Sequence, residues 1–324
     1  MRFLQIPPPR GVLLALVCFA LSACFAIEKF NIVDDYVRFI LITLGINIIL
    51  CASLNLVNGW MGEFSVGHAG FMALGAYLSA SVSAKWLVGT NSLWMFPVAV
   101  VAGGLLAAVV GLLLGMLSFK TRGDYLAIVT LAFLMIVKSG IENISYVGGP
   151  RGFLGIGNET TLLWTAVWVF LTLWVIRNLV YSRYGRGIIA VREDEIAAGA
   201  MGVDTRKAKL TAFVVSSFFG GVAGALFAHQ LQFINPGSFD IVKSTEILVM
   251  VYLGGIGSLG GSVLGATVFT ILVQVLQPLG TWRMVILPLV LVLLMLFRPR
   301  GIMGLREFAW FVPRREFPKK EEEK

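Results

Sequence analysis

Charge is what this 324-residue sequence has least of. Only 14% of its residues are Asp, Glu, Lys or Arg, against roughly 25% in soluble chains. So few charges cannot clothe a water-facing surface of this size. With 57% hydrophobic residues and a mean hydropathy of +0.85, the solvent is a bilayer. Cysteine is scarce as well: Cys18, Cys24 and Cys51 all sit in apolar runs, which excludes a disulfide scaffold and makes them small packing residues. The apolar content excludes disorder. The two histidines, His68 and His229, lie far in sequence from any Cys/Asp/Glu cluster, so no metal site is read. No G-x-x-x-x-G-K-[ST] run occurs, so any coupling to ATP must pass through another polypeptide. No nucleophile, base and orienting group come together by proximity in sequence, and the chain is not read as an enzyme.

What it has instead is long apolar runs. A helix needs about 20 predominantly apolar residues to cross the hydrocarbon layer, where backbone groups must satisfy one another. Ten such segments run approximately over 11–27, 39–57, 68–88, 93–118, 124–139, 162–180, 210–230, 244–258, 262–278 and 282–297. With the amino terminus inside, 19 of the 26 basic residues fall on the inner face: Arg2 and Arg10, Lys120 and Arg122, seven from Arg177 to Lys209, and eight from Arg298 onward. That is the bias expected of a cytoplasmic face. An odd number of spans would put one basic end on the wrong side. The expected architecture is therefore an all-α polytopic membrane protein of about ten helices, both ends cytoplasmic. It is a single membrane domain over 1–324, with a cytoplasmic loop at 181–209 and a cytoplasmic tail at 298–324. The net charge of +8 follows from the same bias, and the mixed-sign tail reads as a solvated end, so nucleic acid is not an expected partner. Leu21-Ser22-Ala23-Cys24 after Arg2 and Arg10 resembles a lipoprotein signal, but its removal would leave nine spans and reverse the amino terminus, so a first span is preferred.

Two glycine-rich stretches interrupt the apolar pattern. One, Asn55 to Phe71, contains Asn58-Gly59-Trp60-Met61-Gly62-Glu63-Phe64-Ser65-Val66-Gly67-His68; the other runs from Leu253 to Ala266. Irregular backbone at membrane depth is tolerated where it is buried in protein or lines a cavity. The first stretch therefore reads either as a broken or re-entrant segment beside a pathway or as a tight cytoplasmic turn between close-packed helices. Asn55, Ser65 and His68 are its candidate pathway residues. Each stretch leads to Gly-Ala, at Gly75-Ala76 and Gly265-Ala266, a loose pointer to internal repetition. The second also satisfies G-x-G-x-x-G at Gly255 to Gly260. Without a strand-turn-helix unit, or an acidic residue about 20 positions on, it is not read as a nucleotide site. Polar groups within or near spans, including Asn47, Lys85, Lys138, His229, Gln230, Glu246, Gln274 and Arg283, either snorkel or serve a path.

The loop between the sixth and seventh segments carries Arg192-Glu193-Asp194-Glu195-Ile196-Ala197-Ala198-Gly199-Ala200-Met201-Gly202. A short helix is expected in its middle. The acidic triplet suits a helix amino terminus, Ala197, Ala198 and Ala200 favour helix, and Gly202 can close it. Small residues on one face would let another protein approach.

Glu195 to Gly202 read as E-x-A-A-x-x-x-G. This resembles, with one residue inserted after the glutamate, the signature by which membrane subunits of bacterial ABC importers enter their ATPases. The likeness extends through Gly62–Phe71 with Gly75-Ala76-Tyr77, Thr121–Ala132, Gly148-Gly149-Pro150-Arg151-Gly152, Ser216–Leu226, Ile234–Phe239 and Gly254–Gly261. The whole is similar to the branched-chain amino-acid permease family, in its LivM-type branch. That resemblance implies an importer of about five parts in the bacterial inner membrane: this permease, a second LivH-like permease, two cytoplasmic ATPases and a periplasmic binding protein. Mg-ATP would sit on the ATPases, with no cofactor in this chain. Leucine, isoleucine and valine are the implied substrates. Importers of urea or another small organic solute share much of the pattern, and an ion-coupled secondary transporter is the reading from another class. The resemblance places the ATPase contact at Arg192, Glu193, Asp194, Glu195, Ala197, Ala198, Met201 and Gly202.

Overall fold

The computed structural model describes residues 33–86, 95–119 and 125–282, with scattered positions at 22–28 and 285–308. In chain order the helices are α1 (Asp35–Asn55), α2 (His68–Ser81), α3 (Met95–Ser118), α4 (Tyr125–Asn143), α5 (Leu162–Val180), α6 (Arg183–Glu193), α7 (Glu195–Ala200), α8 (Thr205–Leu231), α9 (Ile241–Gly254) and α10 (Leu259–Val275). A π-helical turn, Leu56–Met61, extends α1, and residues 62–67 are unwound before α2 begins. Two short strands, β1 (Phe153–Leu154) and β2 (Phe233–Ile234), pair antiparallel with Phe153 opposite Ile234.

Among the described residues the regular structure is helical apart from that ribbon. Eight of the ten apolar segments coincide with helices. Most of the segment 11–27, Lys120 and Arg122, most of 282–297 including Arg283, and the tail beyond 308 lie outside the described residues. Among the described residues five helices are long and apolar enough to cross a membrane: α1 with its π turn, α3, α4, α5 and α8. α2 and α9 have only 14 residues each, short of a full crossing.

α1 is buried on every side from Ile46 to Met61, as expected of an all-apolar helix at the centre of a bundle. α10 runs antiparallel beside it. Tyr36 Oη donates to Gln274 Oε1 at 3.0 Å, Asn47 Nδ2 to Thr270 Oγ1 at 3.0 Å, and Asn55 Nδ2 to Ser262 Oγ at 2.7 Å, one rung after another along the pair. α3 packs antiparallel on α8 through Gly103, Ala107, Gly111 and Gly115, buried at four-residue spacing. A Cβ at Gly104 would meet Phe218 and Val222, and one at Gly115 would meet Leu210 and Phe213. Lipid tails give no hydrophobic drive for helix association, so close backbone approach through small residues does that task.

These pairings give the bundle two distinct ends. One gathers α6, α7, Met61, Glu63 and Gly257, and here Arg206 donates to the Met116 carbonyl near the end of α3. The other holds Tyr36, the β1–β2 ribbon and the Ser79–His229 pair, with Nε2 of His229 at 3.0 Å from Ser79 Oγ.

Candidate functional site

The loop between α5 and α8 folds as two helices rather than one. α6 starts at Ser182, whose hydroxyl accepts from Gly185 N at 3.1 Å, and its buried residues Ile188 and Val191 face the bundle. The chain then breaks at Asp194, which is extended (φ −159°, ψ 111°). Asp194 Oδ1 accepts from Ile196 N at 2.8 Å and Ala197 N at 2.9 Å, capping α7. This corrects the sequence reading of the acidic triplet. Asp194 and Glu195 do start the short helix, but Glu193 ends α6 and pairs with Arg192. An amphipathic Ile188/Val191 spacing was the available signal for α6, obscured by Gly185 and Gly187.

α7 closes through Gly202, whose φ of +85° is a left-handed value natural to glycine. Val203 N then returns to the Ala198 carbonyl at 3.0 Å. The alanines divide between the two sides. Ala198 is turned inward at 5% exposure and seats the helix, whereas Ala197 is exposed beside Ile196 at 79% and Met201 at 85%. An outward-facing apolar pair on this short helix and its C-cap is a knob exposed among the described residues. Asp204, exposed at the start of α8, has its carboxyl held below the usual carboxylate range by the hydrogen bonds from Lys207.

Beneath this loop lie the two glycine-rich breaks, and they touch. Asn55 is the staple between them. Its Nδ2 donates to the Ser258 carbonyl at 3.0 Å and the Gly255 carbonyl at 3.3 Å, and its Oδ1 accepts from Gly257 N at 2.9 Å. A Cβ on Gly59 would collide with Asn55 Oδ1 and the Gly257 backbone, so this contact demands glycine. The G-x-G-x-x-G run is a helix junction: Gly255 and Gly257 take positive φ, and Ser258 caps α10 by accepting from Gly261 N.

Within the unwound residues 62–67, the backbone of Ser65 and Val66 bonds to side chains of the π turn, α4 and α9. Val66 N donates to Thr130 Oγ1 of α4 at 3.2 Å, the Val66 carbonyl accepts from Ser244 Oγ of α9, and Ser65 N donates to Asn58 Oδ1. The stretch is a break between α1 with its π turn and α2, with Ser65 buried and Gly62 and Phe64 exposed. His68 opens α2 with Nε2 at 2.8 Å from Ser53 Oγ. Asn55, Ser65 and His68 are all buried, at 0%, 2% and 2% exposure. None of them lines the ≈ 570 Å³ groove between α6 and α8 or the ≈ 290 Å³ groove between α1 and α5.

Lys209, one of the residues that serve only as a basic count in sequence, joins loop and break. Its Nζ lies 2.6 Å from Glu63 and 2.8 Å from Glu195. Arg192 donates to the Gly59 carbonyl at 3.1 Å. Sequence reasoning also missed Thr130 and Ser244, which look like ordinary helix hydroxyls until the unwound strand is laid against them. Among the described residues no three His, Cys, Asp or Glu side chains gather as a metal site would require.

Comparison with known proteins follows the same lines. The family described as branched-chain amino acid transport system / permease component matches residues 36–297. The high-affinity branched-chain amino acid transport system permease protein LivM of Escherichia coli K12 is 34% identical over 296 residues, 80% of this chain and 68% of that one. LivM of Salmonella typhimurium is 32% identical over 328 residues, covering 90% and 74%. The permease protein LivH of the same organism is 25% identical over 290 residues, covering 82% and 94%. No solved structure matches.

Proposed function

The chain belongs to the permease components of branched-chain amino acid transport systems, and from that premise we propose that it carries leucine, isoleucine and valine inward as the LivM-type half of an ATP-driven importer. It crosses the bacterial inner membrane ten times with both ends in the cytoplasm. A LivH-like permease completes the path, two cytoplasmic ATPases hold Mg-ATP, and a periplasmic binding protein delivers the substrate and supplies most of the selectivity. The observation that carries this reading is α7. Capped by Asp194 and closed by Gly202, it presents Ile196 and Met201 to solvent at the end of the bundle that bears Arg183, Arg186, Arg192, Arg206 and Lys207.

In the mechanism, ATP binding draws the two ATPases together. The coupling residues Arg192 to Glu195, Ala197, Ala198, Met201 and Gly202 pass that motion to the bundle. Asn55, Ser65 and His68 mark the break at which the path opens. Several interior polar groups are matched to one another rather than left to meet a charged substrate, as in Asn47 with Thr270 and Ser53 with His68. That suits a solute with an apolar side chain. The test is uptake by the complete complex in proteoliposomes with its binding protein. Labelled leucine should accumulate only with ATP inside the ATPase compartment. Uptake of urea in place of leucine would overturn the substrate, and uptake driven by an ion gradient without ATPases would overturn the transporter class.

A further inference from the structure

We infer that Lys209 and Arg192 form the joint through which movement of α7 reaches the two helix breaks, a role that rests on the reading of α7 as the ATPase-docking helix.

Both cations cross between elements: Lys209 ends on two carboxylates of other segments, and Arg192 on a backbone carbonyl of the π turn. Lys209 belongs to α8, yet its ammonium stands between a carboxylate of the unwound segment, Glu63, and the first residue of α7, Glu195. It is only 11% exposed, and Glu63 only 22%. Two carboxylates this close repel unless a cation lies between them, and a partly buried site does little to screen them. With Lys209 the two move as one body; without it they push α7 and residues 62–67 apart. The Lys207–Asp204 pair makes the contrast, with side chains 84% and 51% exposed and both partners in one helix start. A pair of that kind contributes little.

Arg192 provides the second attachment. Its stem lies on Gly62, where a Cβ would overlap it, and its guanidinium bonds the Gly59 carbonyl and abuts Gly257. Glycines from both breaks thus form the cradle for one side chain of the coupling loop. Asn55 binds Gly255, Gly257 and Ser258, so the second break follows the first. Residues free of helical hydrogen bonding absorb φ/ψ change most readily, which is where hinges form. A displacement of α7 therefore pulls on the π turn at 59–61, the unwound residues 62–63 and the junction 255–258 rather than on regular α-helix. Ala198 is the buried residue of α7 itself, so the charged joint is a principal grip on the bundle.

The test uses the full complex in proteoliposomes. Lys209→Met should cut leucine uptake at least tenfold and abolish stimulation of ATP hydrolysis by loaded binding protein, with both ATPases still co-purifying. Adding Glu63→Gln should restore part of the stimulation by relieving the repulsion, a non-additive outcome that independent sites would not give. Glu63→Gln alone, which keeps the Lys209–Glu195 bond, should lower stimulation severalfold and serves if Lys209→Met does not insert. Wild-type stimulation in both single variants, or strictly additive losses, would overturn the joint. So would loss of ATPase co-purification in Lys209→Met, which would make it an assembly residue. Ile196→Asp separates this from the underlying reading: if the ATPases still bind that variant, α7 is not their docking helix. If they are lost while Lys209→Met is silent, only the joint fails.

Discussion

At the scale of single residues, Asn55 shows how much a buried amide can hold. It bonds Gly255, Gly257, Ser258 and Ser262 across a separation of about two hundred positions in sequence, and no surface of it is exposed. Leaving a buried backbone group without its partner costs about 1–3 kcal/mol, so Asn55→Leu should lower the thermal midpoint of the purified permease markedly. Asn55→Asp should be worse, because it turns a carboxylate toward the Gly255 and Ser258 carbonyls. A fluorescence-detected melt in detergent gives the order, and equal stability of the three proteins would refute the staple. The sequence marks Asn55, Ser65 and His68 because small polar residues stand out in an apolar run. It cannot mark Ser53, Thr130, Ser244 or Ser262 as their partners, since single hydroxyls are ordinary within membrane helices. Lys209 was illegible for another reason. A basic residue beside a cytoplasmic loop has a sufficient explanation in the charge bias, and only the fold brings Glu63 to it.

At the scale of elements, helix ends were the harder part to read. α5 occupies the residues its apolar segment suggests, because Thr161 caps it and the run is unbroken. α6 and α7 are harder, since a loop rich in glycine and charge hides an amphipathic turn, and one extended residue, Asp194, decides where the helix divides. A further contact of this kind closes the second break from outside. Ile302 N and Met303 N donate to the Leu253 and Gly254 carbonyls at the end of α9, and Glu307 accepts from Leu259 N at 2.7 Å and Gly260 N at 2.8 Å at the start of α10. Burial pushes the Glu307 carboxyl above the ordinary carboxylate range, although these amide bonds pull the other way. A raised folded pKa means that the folded state holds the proton more tightly than the unfolded one. Its stabilising contribution is then complete below the unfolded pKa and is lost as pH rises through the raised value. Attachment of Ile302, Met303 and Glu307 should loosen as pH rises through that raised value. Hydrogen exchange at Ile302 and Met303, corrected for intrinsic rates, should show protection falling over that window, with the trend absent in Glu307→Gln. Protection that rises with pH would contradict it.

At the scale of the whole molecule, the 14% of residues that are charged, too few for a soluble surface, are sorted between two ends. Composition alone identifies the solvent; the pairing of helices decides which loops share an end. The α1–α10 and α3–α8 antiparallel contacts place Arg192, Arg206, Lys207 and Lys209 together, and leave the β1–β2 ribbon at the far side. If basic residues are retained in the cytoplasm, Met201 faces the cytoplasm and Leu154, 73% exposed on β1, faces the periplasm. In a variant with Cys18, Cys24 and Cys51 replaced by alanine, Leu154→Cys should react with a membrane-impermeant maleimide in intact spheroplasts. Met201→Cys should react only after permeabilisation. The opposite pattern would invert the permease, put α7 out of reach of any cytoplasmic ATPase, and remove the basis for coupling at that end.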